Sequence, residues 1–167
     1  GDILLTQEIP IEKSEDANSL HNKLSESGGD LVIKTLSRLE NNDLLPVPQN
    51  SKLATYAPKL KKEESLINWQ LDANDIFNRI RGLTPWPGTH TFYSGKRLGI
   101  LKGEVIPGES SDRPGYVERI TDSGIEVGTK KNRLKITELK PEGKKAMTVK
   151  SFLSGYIINR GDSLNLG

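Results

Sequence analysis

Between His90 and Leu139 the chain breaks into short runs in which apolar and polar residues alternate, separated by turn residues. That pattern limits the fold more than any other feature, because a period of two suits a half-buried strand and cannot line one face of a helix. The predicted strands are His90–Tyr93, Arg97–Ile106, Gly115–Ile120, Ile125–Thr129 and Leu134–Leu139, with turns at Ser94-Gly95 and Asp122-Ser123-Gly124. In the last two, Ile125/Val127 and Leu134/Ile136 mark a buried face, and Glu126 and Lys135 an exposed one. Leu98/Ile100 and Val105 fall out of phase, which predicts a bulge near Gly103. Five short strands of this kind predict a small barrel of the oligonucleotide-binding (OB) type.

Helical signals flank the strands. Asp72, followed by Asp75, caps a predicted helix whose buried face is Ala73, Ile76, Phe77 and Ile80 and which Pro85 ends. A short closing helix has Thr148 as its cap, Met147 placed to pack on Phe152, and Gly155 to end it. Trp69 and Trp86, the latter inside Pro85-Trp86-Pro87, read as packing anchors. Gly108-Glu109-Ser110-Ser111-Asp112 reads as a loop, and Arg160-Gly161-Asp162 as a turn leaving the last helix.

The first third reads differently. Ile3–Ile11 is rich in β-formers and predicts a strand. Ser14 caps a helix bearing Ala17, Leu20, His21 and Leu24 on one apolar face, with His21 as a packed core histidine. Gly28-Gly29 ends that helix, and Asp30 caps a second with Val32, Leu36 and Leu39 as its stripe. One strand and two helices bury too little apolar surface to stand alone, so a further sheet or another protein surface is expected. Leu45–Ser51, with two prolines, reads as an extended linker.

Charge follows the same division. Residues 1–50 hold four Lys/Arg against nine Asp/Glu, a net of −5; residues 51–167 hold twenty against thirteen, a net of +7, giving +2 for the chain. Such asymmetry points to a polyanionic partner. The basic residues form three groups: Lys59, Lys61 and Lys62; Lys130, Lys131, Arg133 and Lys135; and Lys140, Lys144, Lys145 and Lys150. From residue 129 onward nine basic residues face three acidic ones. Few aromatics lie on the strands, chiefly Phe92, Tyr93 and Tyr116, so docking on the backbone of a folded RNA is favoured over base-by-base stacking. With no cysteine there is no disulfide, thiolate nucleophile or Cys-based zinc site, and no metal is expected. No run approaches a membrane span or a signal peptide, so a cytoplasmic protein without a membrane partner is expected. Gly1 is not an initiator Met, and truncation is expected.

The run Ala54-Thr-Tyr-Ala-Pro-Lys-Leu-Lys-Lys-Glu-Glu-Ser-Leu-Ile-Asn-Trp69, followed by Ile80-Arg81-Gly82-Leu83-Thr84-Pro85-Trp86-Pro87-Gly88, resembles the methionyl-tRNA formyltransferases. Gly1-Asp2-Ile3-Leu4 is similar to the end of that family's Asp-Thr-Gly-Asp run, and Pro141-Glu142-Gly143-Lys144-Lys145-Ala146-Met147 to its near-terminal Gly-Lys-Lys motif. The resemblance covers essentially the whole chain and implies an α+β organisation. Residues 1–45 would be the last strand and helices of a truncated Rossmann-like formyltransferase domain, 46–60 a linker, and 61–167 an OB-like tRNA-binding domain. It implies a parent that moves a formyl group from 10-formyltetrahydrofolate to the amine of methionyl initiator tRNA. The family's catalytic Asn, His and Asp would lie upstream of Gly1, with Asp2 beside the active site, so this chain alone is expected to be inactive. Lys59, Lys61 and Lys62 would meet the acceptor end of the tRNA near the active-site entrance. The remaining expected tRNA contacts are Lys130, Lys131, Arg133, Lys135, Lys144, Lys145 and Lys150, and a monomer is expected. The sequence departs from the pattern at Asn68, where Asp is usual, and at His90. The alternatives are a sugar formyltransferase, a formylfolate hydrolase, or a stand-alone RNA-binding module.

Overall fold

A computed structural model describes residues 1–109 and 111–165, so Ser110 of the expected loop lies outside the described residues. The chain divides into two compact units, Gly1–Lys59 and Leu60–Gly167.

The first unit is built on one helix, α1 (Ala17–Glu40). Its cap is Asp16 rather than Ser14: the Asp16 carboxylate accepts the Ser19 N–H at 2.8 Å, and the Ser19 hydroxyl oxygen accepts the Asp16 N–H at 3.0 Å. The expected break at Gly28-Gly29 does not occur, and Asp30 caps nothing. Two glycines cost a helix about 2 kcal/mol relative to alanine. Ending one helix and nucleating another leaves eight more orphan backbone groups and a second unfavourable nucleus, so continuation wins. No residue of α1 is buried, and the apolar stripe of Leu24, Val32, Leu36 and Leu39 is exposed. His21 is exposed too, not a core histidine. The expected strand at Ile3–Ile11 reduces to one bridge, with Ile3 and Val47 exchanging backbone hydrogen bonds of 2.8 and 2.9 Å. Val47 lies between Pro46 and Pro48, whose rings hold φ near about −65°, far from the about −140° of an antiparallel ladder.

In the second unit the strands are β1 (Thr89–Tyr93), β2 (Lys96–Ile106), β3 (Val117–Thr121), β4 (Gly124–Gly128), β5 (Arg133–Pro141) and β6 (Met147–Thr148). The first five are the predicted strands, shifted by a few residues; the sixth carried too short a signal to read. All neighbours pair antiparallel in the order β1-β2-β5-β4-β3, with β6 against β5. β1 and β3 are therefore the sheet's edges, and no ladder closes it into a barrel among the described residues. The expected irregularity is present: the β2–β5 register shifts between Ile100 and Gly103. A Cβ at Gly103 would lie 3.0 Å from the Lys135 carbonyl oxygen, so a side chain at the bulge would need β5 to give by a few tenths of an ångström.

Two helices pack on the sheet. In α2 (Ala73–Gly82) the Asp72 carboxylate caps by accepting the Asn74 N–H, and Ala73, Ile76 and Ile80 are buried with Phe77 packed beside them. The Thr148 hydroxyl caps α3 (Val149–Leu153) by accepting the Ser151 N–H at 3.3 Å. Phe152 enters the core from α3, and Met147 packs against the same cluster. Trp69 is buried as expected, its indole N–H shared between the Thr91 hydroxyl oxygen at 3.1 Å and the Leu164 carbonyl at 3.2 Å.

In the second unit, two more expectations about burial fail. Every residue of β4 is buried, Glu126 included. Alternation sets which face a side chain takes but not what lies over that face: here Arg133 reaches Glu126 at 2.9 Å, Arg119 at 3.9 Å, and Arg133 also meets Glu118 at 3.9 Å. The second is Trp86, which is 56% exposed rather than packed in the core.

Candidate nucleic-acid interface

Tight turns present the basic residues. Lys130 and Lys131 sit between β4 and β5, where Asn132 turns through a left-handed conformation, φ 64°. The turn is tied to the start of α2: the Lys130 N–H donates to the Leu71 carbonyl and the Ala73 N–H to the Lys131 carbonyl, both at 3.1 Å. With the backbone satisfied inward, both lysine side chains are exposed. The same turn tunes Asp72. The Asn74 N–H holds its carboxyl below the usual range against an opposing desolvation, and the Asn74 and Asn132 amides and the Lys131 charge add to the effect.

Lys144 and Lys145 follow a second turn, closed by the Lys144 N–H donating to Pro141 at 3.1 Å around Gly143, φ 69°. Both are exposed, as are Lys140, Lys59, Lys61 and Lys62. None of these eight makes an ion pair among the described residues. The others differ. Arg133 is committed to Glu126 and Glu118, Lys135 reaches Glu104 at 3.6 Å, and Lys150 lies 3.9 Å from Asp122. Asp2 is exposed.

The aromatics on the strands are occupied. The Arg113 guanidinium lies 3.9 Å over the Tyr116 ring, and Phe92 meets His90 edge-on at 5.5 Å. Tyr93 bonds through its hydroxyl to the Ile157 carbonyl and the Asp162 carboxylate, both at 2.8 Å. Asp162 also accepts the Asn159 N–H at 2.8 Å, so the Arg160-Gly161-Asp162 turn is held by its own contacts.

A feature that sequence reasoning passed over lies beside Lys62. A cavity of about 400 Å³ is lined by Lys62, Ser65, Trp86, Pro87, His90 and Arg97. Ser65 donates its hydroxyl proton to the Lys62 carbonyl at 2.6 Å, and its oxygen lies 3.1 Å from His90 Nδ1. Burial pushes the His90 pKa down, and the Arg97 guanidinium 3.4 Å from Nδ1 pushes it further, with Ser65 opposing. His90 is thus a neutral ring at pH 7. The signal that could have found this site was the indole held in a Pro-Trp-Pro-Gly turn, a poor sequence for a core element.

A family profile described as "Formyl transferase, C-terminal domain" matches residues 59–157. The methionyl-tRNA formyltransferase of Citrifermentans bemidjiense is 41% identical over 164 residues, 98% of this chain and 51% of its own length. That of Thermodesulfovibrio yellowstonii is 42% identical over 161 residues, 96% of this chain and 51% of its own. The chain therefore spans about half the length of the curated relatives it matches. Among solved structures, HypX from Aquifex aeolicus in complex with tetrahydrofolic acid superposes with a TM-score of 0.63 at 20% identity, over 93% of this chain and 27% of HypX. At that identity the likeness is one of fold.

Proposed function

Since the chain belongs to the formyl transferase C-terminal domain family, we propose that it is the tRNA-holding part of a methionyl-tRNA formyltransferase. The parent reaction transfers a formyl group from 10-formyltetrahydrofolate to the amino group of methionyl initiator tRNA. The neutral amine attacks the formyl carbonyl, a tetrahedral oxyanion forms, the amine proton leaves to a base, and tetrahydrofolate departs through N10. Such a step needs positioned donors and a base. Neither histidine of this chain has a carboxylate partner among the described residues, so no part of that chemistry is assigned to it. The Asn, His and Asp that perform it, and most of the folate site, are placed in sequence preceding Gly1, with Asp2 at the margin. Residues 1–45 are read as the end of the Rossmann-like catalytic domain, 46–60 as a linker and 61–167 as the OB-like domain, in a cytoplasmic, monomeric enzyme.

The observation that carries the reading is the set of exposed, unpaired lysines at 59–62, 130–131 and 144–145. Phosphates neutralised by such side chains release condensed counterions, which gives RNA affinity without base reading. Arg133, Lys135 and Lys150 share their charge with carboxylates and are expected to contribute less. Holding the tRNA makes the later attack effectively intramolecular, worth up to about 7–11 kcal/mol in well-oriented systems.

The test is a filter-binding assay of the purified 167-residue chain with initiator tRNA, run beside a formyl-transfer assay. Retention that weakens steeply with salt, together with no formylation above background, is expected. No retention at low salt would turn the reading towards a sugar formyltransferase or formylfolate hydrolase, and turnover by this chain would overturn the division of labour.

A further inference from the structure

The cavity beside Lys62 has a composition that a general phosphate-binding surface does not need. Two permanent cations, Lys62 and Arg97, share it with an exposed indole and a neutral imidazole, and no carboxylate lines it. Outside the lining, the Glu142 carboxylate accepts the Arg97 backbone N–H at 3.2 Å. Neither Lys62 nor Arg97 makes an ion pair among the described residues, although Arg97 lies against His90. An indole in water costs free energy unless something flat covers it, and a pair of unneutralised cations calls for an anion. A ligand carrying both a planar ring and a phosphate is a nucleotide.

We infer that Trp86, Lys62, Arg97 and His90 form a subsite for one unpaired nucleotide of RNA, its base stacked on Trp86 and its phosphate held by Lys62 and Arg97. This rests on the reading above that the chain binds RNA, and adds that one base is taken out of the stack. The nucleotide must be unpaired because a base within a duplex keeps both faces on its neighbours; ends, loops and bulges alone offer a free face. His90 lines the same cavity, where its ring can meet a base edge or a ribose 2′-hydroxyl, the second of which separates RNA from DNA. The 400 Å³ volume lies within the range of small-ligand sites.

The protein carries its own probe. Trp69 is 3% exposed and Trp86 56%, so a ligand that stacks in this cavity changes the emission of one indole only. A single-stranded tetraribonucleotide and inorganic tripolyphosphate are titrated into the full chain while fluorescence is followed, and initiator tRNA binding is measured in parallel by filter retention. The tetranucleotide should quench in a saturable way and tripolyphosphate should not. Trp86→Leu and Trp86→Phe lose the reporting indole, so tetranucleotide binding is compared with wild type by titration calorimetry: Trp86→Leu should weaken it about 5- to 160-fold, the scale of base–aromatic stacking, and Trp86→Phe should recover most of it. Because the side chain is exposed, neither change should move the melting temperature. Equal quenching by tripolyphosphate would reduce the site to an anion pocket and overturn the stacking. Retention of tRNA without quenching, and unaltered by Trp86→Leu, would overturn the subsite and leave the tRNA reading intact. Quenching by the tetranucleotide without tRNA retention would support the subsite and sink the broader reading.

Discussion

Replacing Lys144 and Lys145 together by alanine tests the electrostatic reading at its most exposed point. Both side chains project from a turn whose backbone is satisfied without them, and neither has a carboxylate partner among the described residues. Each phosphate contact adds about 0.7 to 0.9 to the slope of log affinity against log salt. Removing two should therefore flatten the slope by about 1.4 to 1.8. Over a fourfold rise in salt, from about 50 to about 200 mM, wild-type affinity should fall about 7- to 12-fold further than that of the double variant. Stability should move by less than about 0.5 kcal/mol, since nothing buried is lost. Filter binding to initiator tRNA at five or six salt concentrations reads the slope, and Lys13→Ala/Lys34→Ala, on and beside α1, serves as a charge-matched control. Parallel lines for wild type and the Lys144/Lys145 variant would refute the reasoning. So would a control variant that flattens equally, because the effect would then be one of net charge alone.

Four further outcomes are expected. Arg133→Gln leaves Glu126 buried with only the distant Arg119, and, discounted for the partial exposure of Arg133, should cost about 1–3 kcal/mol in denaturant melts; an unchanged midpoint would deny that the pair holds β4 to β5. Phe152→Ala empties a fully buried site in which the ring also stacks on Tyr156 at 4.5 Å, and should cost about 3–5 kcal/mol. Gly124→Ala places a Cβ 2.7 Å from the Ile136 carbonyl oxygen and 2.6 Å from Lys135 Cγ, so the β4–β5 ladder must shift, at about 1–3 kcal/mol. Burial first, and then Arg97, lower the His90 pKa below its usual 6.5, so the unfolded chain binds that proton first. Its contribution is present above pH 6.5 and is lost as pH falls towards the folded value. Melting temperatures between pH 5 and 8 should fall less steeply on the acid side in His90→Asn than in wild type.

Local patterns were legible wherever local physics decides. The strands, the turn at Ser94-Gly95, the Gly103 bulge, the buried face of α2 and the Thr148 cap all follow from side-chain period, turn chemistry and capping, each contained within about ten residues. What failed was longer in range. Gly28-Gly29 reads as a break because propensity is counted residue by residue, whereas a helix of 24 residues is cooperative. Ile3–Ile11 reads as a strand because propensity carries no information on whether a compatible partner exists.

The candidate site divides along the same line. The sequence by itself determined that the second half is basic, that its lysines cluster at turns, and that the motifs around Trp69 and Trp86 resemble a formyltransferase. Only the tertiary structure decided which charges stay free. Arg133 and Lys135 are as basic in sequence as Lys130 and Lys131, yet β5 lies beside strands bearing Glu126 and Glu104, while the turn before it faces solvent. It likewise gathered Lys62, Trp86, His90 and Arg97 around one cavity from positions up to 35 residues apart. A charge or an aromatic ring acts on what stands opposite it, and pairing across a sheet decides what that is.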